Sequence, residues 1–215
     1  MRKHLTCCWR FWKKVKDIKI SSEDTIVSYD VTALFICFSP EDTLVVVKDY
    51  LEKDILLHER TPLNPHQLIQ LLRLCLKTTY FLCMGDYYKQ NHGCAMGSPV
   101  SPIVVNLYME RFEKTALETY TGTCPAHWYR YVDDTWVVLR KNELDQFFNH
   151  INSIDANIKF TQENIEKDQL PFLDCLIKLQ PDGSITTTVY RKSTHTDQYL
   201  LFSSHHPLNQ KLRVV

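Results

Sequence analysis

"WYRYVDDTWVVL", residues 128–139, sets two adjacent carboxylates, Asp133 and Asp134, between two apolar runs rich in aromatic and β-branched residues. The runs read as strands, and the two residues between them as a tight hairpin turn. Such turns favour Asn-Gly or Asp-Gly, because both central residues tend to take positive φ. Asp-Asp fits that backbone poorly and puts like charges side by side. A local rule broken in this way marks a candidate functional site. The competing reading is a solvated surface turn.

Upstream, "TIVSYDV" (residues 25–31) alternates like a half-buried strand. "FSPEDTLVVVKDYLEKDILLHE" predicts a helix to about Leu57, with Ser39 as N-cap, Pro40 at the first position and Asp42 completing an approximate capping box. "NPHQLIQLLRLCLKTT" predicts a second helix, "YFLCMGDYYKQ" a hairpin turning at Gly85-Asp86, and "GCAMGSPVSP" a loop. "IVVNLYMERFEKTALETY" is a third long helix, on which Asn106 would be a satisfied polar residue. Downstream of the Asp-Asp turn, "NELDQFFNHINSI" reads as a helix. Three strand-like runs follow, "IKFTQE", "LPFLDCLIKL" and "SITTTVYRK", the last pair joined by Pro181-Asp182-Gly183. This order predicts an α+β fold, an antiparallel sheet with helices on one face. In that arrangement the end of "SYD" can sit beside the Asp-Asp turn, and the sheet could bring Asp30, Asp133 and Asp134 together, with no Lys or Arg at a neighbouring position to pair them. Three clustered carboxylates cannot all stay ionised without a cation. A pair of magnesium ions would relieve the repulsion and suit phosphoryl transfer.

Composition sets the bounds. With 215 residues, 44% of them apolar and 23% charged, the chain is long enough for a sizeable core and is not of disordered type. No apolar run reaches the length of a membrane span, and "MRKHLTCCWRFWKKVK" lacks the apolar core of a secretory signal. Eight cysteines without a C-x-x-C pair read as buried thiols in a reducing, intracellular compartment, and argue against zinc. A net charge of zero is not the basic excess usual in nucleic-acid binders. Its distribution is uneven: Arg2, Lys3, Arg10, Lys13, Lys14, Lys16 and Lys19 face only Asp17 within residues 1–20. That makes a +6 arm on a −6 body. Such an arm reads as short, mobile and solvated, with phosphate contact as its functional alternative.

"SYDVTALF", "GCAMGSPVSP" and "YVDD" resemble, in that order, three successive motifs of the reverse-transcriptase palm, and "LPFLDCLI" resembles the motif that follows them. The wording "DVTALF", the Met before "GSPVSP" and the tail "VYRKSTHTDQYLLFSSHHPL" look most like the reverse transcriptases of Penelope-like retroelements, which are related to telomerase. The resemblance covers roughly residues 24–215. It implies an RNA-directed DNA polymerase, nuclear or cytoplasmic, that takes an RNA template, a DNA primer, deoxynucleoside triphosphates and two magnesium or manganese ions. By the same resemblance Asp30 and Asp133 bridge the two ions and Asp134 supports the site. Phe35 falls where the family carries a steric gate against the 2′-hydroxyl; a core phenylalanine is the alternative. Met96, Gly97, Ser98 and Pro99 match the loop beneath the templating base and incoming nucleotide, with Met96 where retroviral enzymes carry Gln. Leu173 and Asp174 match the strand pair that steadies the primer. Lys159 and Lys167 both lie where a lysine sometimes approaches the leaving pyrophosphate, and solvated lysines are the alternative for each. His195, His205 and His206 match no standard zinc spacing and read as surface or backbone-capping residues.

The implied organisation is a basic arm or fingers remnant at 1–24 and a palm at 25–215. Within the palm, partial fingers fall at about 40–92 and a primer-grip region at about 170–215. Upstream fingers cations and a thumb are not recognisable, so a fragment is expected. The alternative is an inactive or domesticated remnant that binds nucleic acid or protein. An unrelated α+β interaction domain with coincidental motifs is the reading from another class.

Overall fold

The computed structural model describes residues 2–5, 8–192, 194 and 200–212. The chain opens with β1 (Arg2–His4) and α1 (Cys8–Val15), then β2 (Asp24–Val31). α2 (Pro40–Lys53) starts where the Ser39 hydroxyl accepts the Asp42 amide. It stops short of the expected Leu57, because the Asp54 carboxylate accepts the Leu56 amide at 3.1 Å and pairs with Arg60. An Asx-type turn there replaces further helix, and a single turn, α3 (Leu57–Arg60), follows. α4 (Pro65–Lys77) carries a complete capping box between Asn64 and Gln67.

The ribbon of β3 (Tyr80–Cys83) and β4 (Asp86–Lys89) pairs Cys83 with Asp86, so its turn is Met84-Gly85 rather than Gly85-Asp86. Both turn residues take positive φ, 52° and 93°, as a type I′ hairpin requires. The long α5 (Ser101–Thr119) leads into the hairpin of β5 (His127–Tyr131) and β6 (Asp134–Arg140). Next come α6 (Leu144–Ile154) and β7 (Phe160–Asn164). "LPFLDCLIKL" is two strands, β8 (Gln169–Phe172) and β9 (Cys175–Leu179), folded back at Leu173-Asp174. β10 (Ile185–Val189) and a one-turn α7 (Leu208–Lys211) complete the described elements. No helix among the described residues is long and apolar enough to cross a membrane.

The fold is α+β. Its main sheet runs β1-β5-β6-β2-β7, antiparallel throughout except for the parallel β1–β5 edge, and β10-β9-β8 form a second antiparallel sheet. Period-two alternation gives the main sheet two buried faces. Val27, Tyr29, Val31, Val137 and Leu139 join the helix residues Val105, Met109, Phe112, Phe147 and Ile151 in the larger core. Ile26, Tyr129, Trp136 and Val138 turn the other way and meet Phe11 and Val15 of α1 and Leu170, Phe172, Ile177 and Ile185 of the small sheet. Helices on one face are therefore only half of the architecture.

The basic N-terminal segment is likewise no mobile arm. Leu5, Phe11 and Val15 are fully buried, and the Phe11 ring meets the Trp136 ring edge-on at 5.5 Å. The spacing of Phe11 and Val15 puts both on one side of α1. Outside, Trp9 stacks on Trp12 at 4.8 Å, with Lys13 and Lys16 over their rings. The cysteines are also not uniformly buried. Cys94 is buried, Cys37 and Cys175 are half-buried, and Cys75, Cys83 and Cys124 are exposed. The apolar patterns that carry Cys75 and Cys83 lie on α4 and the β3–β4 ribbon, whose apolar residues stand partly in solvent. Cys7 and the Cys8 side chain lie outside the described residues.

Candidate active site

The register of β2 against β6 sets Asp30 directly opposite Asp134, and β5 against β6 pairs Tyr131 with Asp134. The turn is therefore Val132-Asp133, and Asp134 already belongs to β6. This corrects the Asp-Asp turn. The backbone burden falls on Val132, a β-branched residue held at φ 53°. Strain of that kind concentrates at functional sites. Two bonds hold the turn: Val31 N–H donates to the Asp133 carbonyl at 3.4 Å, and Arg130 Nη1 donates to the Val132 carbonyl at 3.1 Å. Directly opposed residues of an antiparallel pair keep Cβ atoms about 5 Å apart on one face. Asp30 and Asp134 thus share the face that carries Ile26 and Trp136.

Burial raises the Asp30 carboxyl above its ordinary range, and the Asp133 charge adds to the shift. Asp134 is pushed up to about 6, first by burial, then by Asp133 and Asp30, with Glu163 adding. Lys192 works in the opposite direction. This is the cation that the neighbouring sequence positions do not supply. The donor set is carboxylate oxygen, which suits hard cations such as magnesium or manganese. As placed, however, no three Asp, Glu, His or Cys side chains among the described residues converge to hold a metal ion. The carboxylates feel one another without forming a finished cage. His206 bonds the Ser204 hydroxyl at 3.1 Å, His205 is exposed, and His195 lies outside the described residues.

A cleft of about 790 Å³ opens beside Asp134, lined also by Ser28, Glu163, Leu173, Asp174 and Lys192. Leu173 holds φ 54° at the β8–β9 turn, and the Asp174 carbonyl accepts from Tyr190 N–H at 2.8 Å. Asp134, Leu173 and Asp174 are thus brought to one cleft, and Lys192 lines it with them. Lys159 instead donates to the Asn152 carbonyl at 3.0 Å, and Lys167 sits exposed at φ 49° between β7 and β8.

Phe35 lies outside that cleft lining, half-buried and packed on the larger core. Its carbonyl accepts from Cys94 N–H at 2.7 Å, and Gly93 N–H donates to the Phe38 carbonyl at 3.0 Å. A Cβ on Gly93, at φ 73°, would lie 2.5 Å from the Ile36 Cα, so only glycine lets this loop dock. Beyond it Met96 is 73% exposed, Gly97 and Pro99 are exposed, and Ser98 is half-buried. A Cβ on Gly97 would meet nothing within 4 Å, so the space over this glycine is open. The proline in the first turn of α5 is Pro102; Pro99 precedes the helix.

Arg130, Lys192 and Gly93 escaped the sequence reading. Arg130 left a signal, a charge at a position that alternation with Trp128 and Val132 would bury. Lys192 left none, since β10 delivers it from the far end of the chain.

No family model matches the sequence, and no curated protein sequence matches it. Solved structures do. The chain is similar to apo telomerase from Candida tropicalis truncated from its C-terminal domain, with a TM-score of 0.62 and 14% identity over 87% of this chain and 41% of that one. It is also similar to telomerase from Candida albicans in complex with a TWJ fragment of telomeric RNA, with a TM-score of 0.63 and 14% identity over 85% of this chain and 35% of that one. The likeness shows that this chain shares the fold of the matched part of these telomerases. The chain spans only about two fifths or less of the length of these proteins.

Proposed function

We propose that this chain is the catalytic core of an RNA-directed DNA polymerase, of the kind found in Penelope-like retroelements, acting in the nucleus or cytoplasm. The observation that carries the reading is the register that sets Asp30 opposite Asp134 beside the strained Val132-Asp133 turn. Asp30, Asp133 and Asp134 would hold two magnesium or manganese ions. Once bound, these would activate a primer 3′-hydroxyl and stabilise the departing pyrophosphate. The Leu173-Asp174 turn lies in the same cleft as Asp134, where it would steady the primer backbone. Lys192 offers that cleft a positive charge for phosphate. Phe35 would exclude the 2′-hydroxyl, and the loop of Met96, Gly97, Ser98 and Pro99 would face the template base and nucleotide. In this reading residues 25–215 form a palm, with fingers elements at about 40–92.

A second reading, an inactive remnant that binds nucleic acid or protein, is favoured by the placement of the carboxylates, which among the described residues do not converge into a finished cage. Manganese titration followed by electron paramagnetic resonance separates the two. The active-core reading expects millimolar-range binding that Asp133→Asn weakens while the fold persists. Binding that is absent, or indifferent to Asp133→Asn, would favour the remnant.

A further inference from the structure

Arg130 lies on β5 between Trp128 and Val132, and it is only 1% exposed. A buried guanidinium is costly unless its donors find acceptors. Three of them do. Nε pairs with the Glu113 carboxylate, itself 5% exposed; Nη2 donates to Asn106 Oδ1 at 3.0 Å; Nη1 donates to the Val132 carbonyl at 3.1 Å. Asn106 is set in turn by its amide, which donates to Glu110 Oε1 at 3.0 Å. Two of the three acceptors belong to α5. The third is the peptide that immediately precedes Asp133.

A core ion pair needs Glu113 alone. The remaining bonds run from a rigid, planar fork to a helix side chain and to the strained turn, and they fix the one against the other. The Asp133 carbonyl is held from the other side by Val31 N–H. α5 also starts directly after the loop of residues 96–99, so the same guanidinium ties that loop's helix to the aspartate turn. We propose that Arg130, oriented by Glu113 and Asn106, is a positioning residue that aims Asp133 at its cation. The proposal rests on the reading of Asp30, Asp133 and Asp134 as metal-binding carboxylates.

The test replaces both charges at once, Arg130→Met with Glu113→Leu, because apolar exchange of a whole buried pair often leaves stability intact. Arg130→Lys, which keeps the charge but loses the fork, is the second variant should the double exchange fail to fold. Amide hydrogen exchange of Val31 reports the turn without any metal, with Val27, deeper in β2, as internal reference. Manganese titration reports the carboxylates. The expected result is Val31 exchange about tenfold faster with Val27 unchanged, and manganese affinity about tenfold weaker. Parental Val31 protection in a folded variant overturns the proposal, as does parental manganese affinity despite a loosened Val31. If the parent itself shows no manganese binding sensitive to Asp133→Asn, the metal reading falls. Val31 exchange then still decides whether Arg130 holds the turn.

Discussion

At the scale of single residues, Asp134 carries a stability cost of its own. An unfolded aspartate titrates near 4, whereas Asp134 in the fold is pushed up to about 6. Between those values the folded chain keeps a proton that the unfolded chain has released. Stability therefore falls as pH rises through this window, and the loss is complete above it. Asp30 is shifted in the same direction, so the two residues act together. Asp134→Asn removes the penalty. The variant should unfold at a higher urea midpoint than the parent at about pH 7.5, with the gap closing near pH 4. A variant less stable than the parent at the higher pH would show that the Asp134 charge is satisfied by partners in the fold. A divalent cation that binds this site should narrow the same gap, because it binds the folded state alone.

Among the elements, α1 decides whether the basic segment is an appendage or part of the body. Its Phe11 is fully buried between Trp136 and Phe172, at ring distances of 5.5 Å and 4.7 Å. Truncating a buried aromatic removes its transfer energy and leaves a cavity, typically about 3–5 kcal/mol. Phe11→Ala should lower the free energy of unfolding by that amount in a single cooperative transition. A loss below about 1 kcal/mol would return α1 to the status of an arm. The two aspartate-bearing hairpins show a second element-level regularity. Each opens its two-residue turn with an apolar residue at positive φ, Val132 at 53° and Leu173 at 54°, followed by Asp133 or Asp174. Hairpin turns of this geometry favour glycine at the first position, so both turns are maintained by their surroundings. For Val132 the surrounding is Arg130; for Asp174 it is the Tyr190 amide.

For the molecule as a whole, charge limits how tightly nucleic acid is held. Residues 1–20 carry +6 and the chain is neutral, so residues 21–215 carry −6. Affinity for a duplex comes mostly from phosphate neutralisation, and each neutralised phosphate adds to the salt dependence. Among the described residues, Lys192 lines the cleft and Arg191 lies beside it near the Leu173-Asp174 turn. The 215-residue chain is therefore expected to bind an RNA–DNA hybrid only in the micromolar range or weaker at physiological salt, with a shallow slope of log affinity on log salt. Fluorescence anisotropy over a salt series measures both. Nanomolar binding with a steep slope would show that the α1 cations form a continuous phosphate track.

The type and order of most elements are local properties, and they were legible in the residues. Ser39 and Asn64 cap the helices that the apolar periodicity marks, and alternation marks β2, β5 and β6. An antiparallel sheet of these strands allows Asp30 to lie near the aspartate turn, and the pairing of β2 with β6 decides that it does. What lay beyond the sequence is what depends on register and on packing between distant segments. A shift of one residue in pairing exchanges the two faces of a strand, so only the Tyr131–Asp134 pair decides that Val132 and Asp133 form the turn. The same holds for Met84-Gly85, and for the fold-back at Leu173. Burial of Arg130 required Glu113, of which the helix's apolar stripe gives no sign, and Asn106, whose satisfied state was legible but whose partner was not. Lys192 reaches Asp134 only because the small sheet folds over the second face of the main one. That face was invisible in a sequence that shows which residues alternate but not what will cover them.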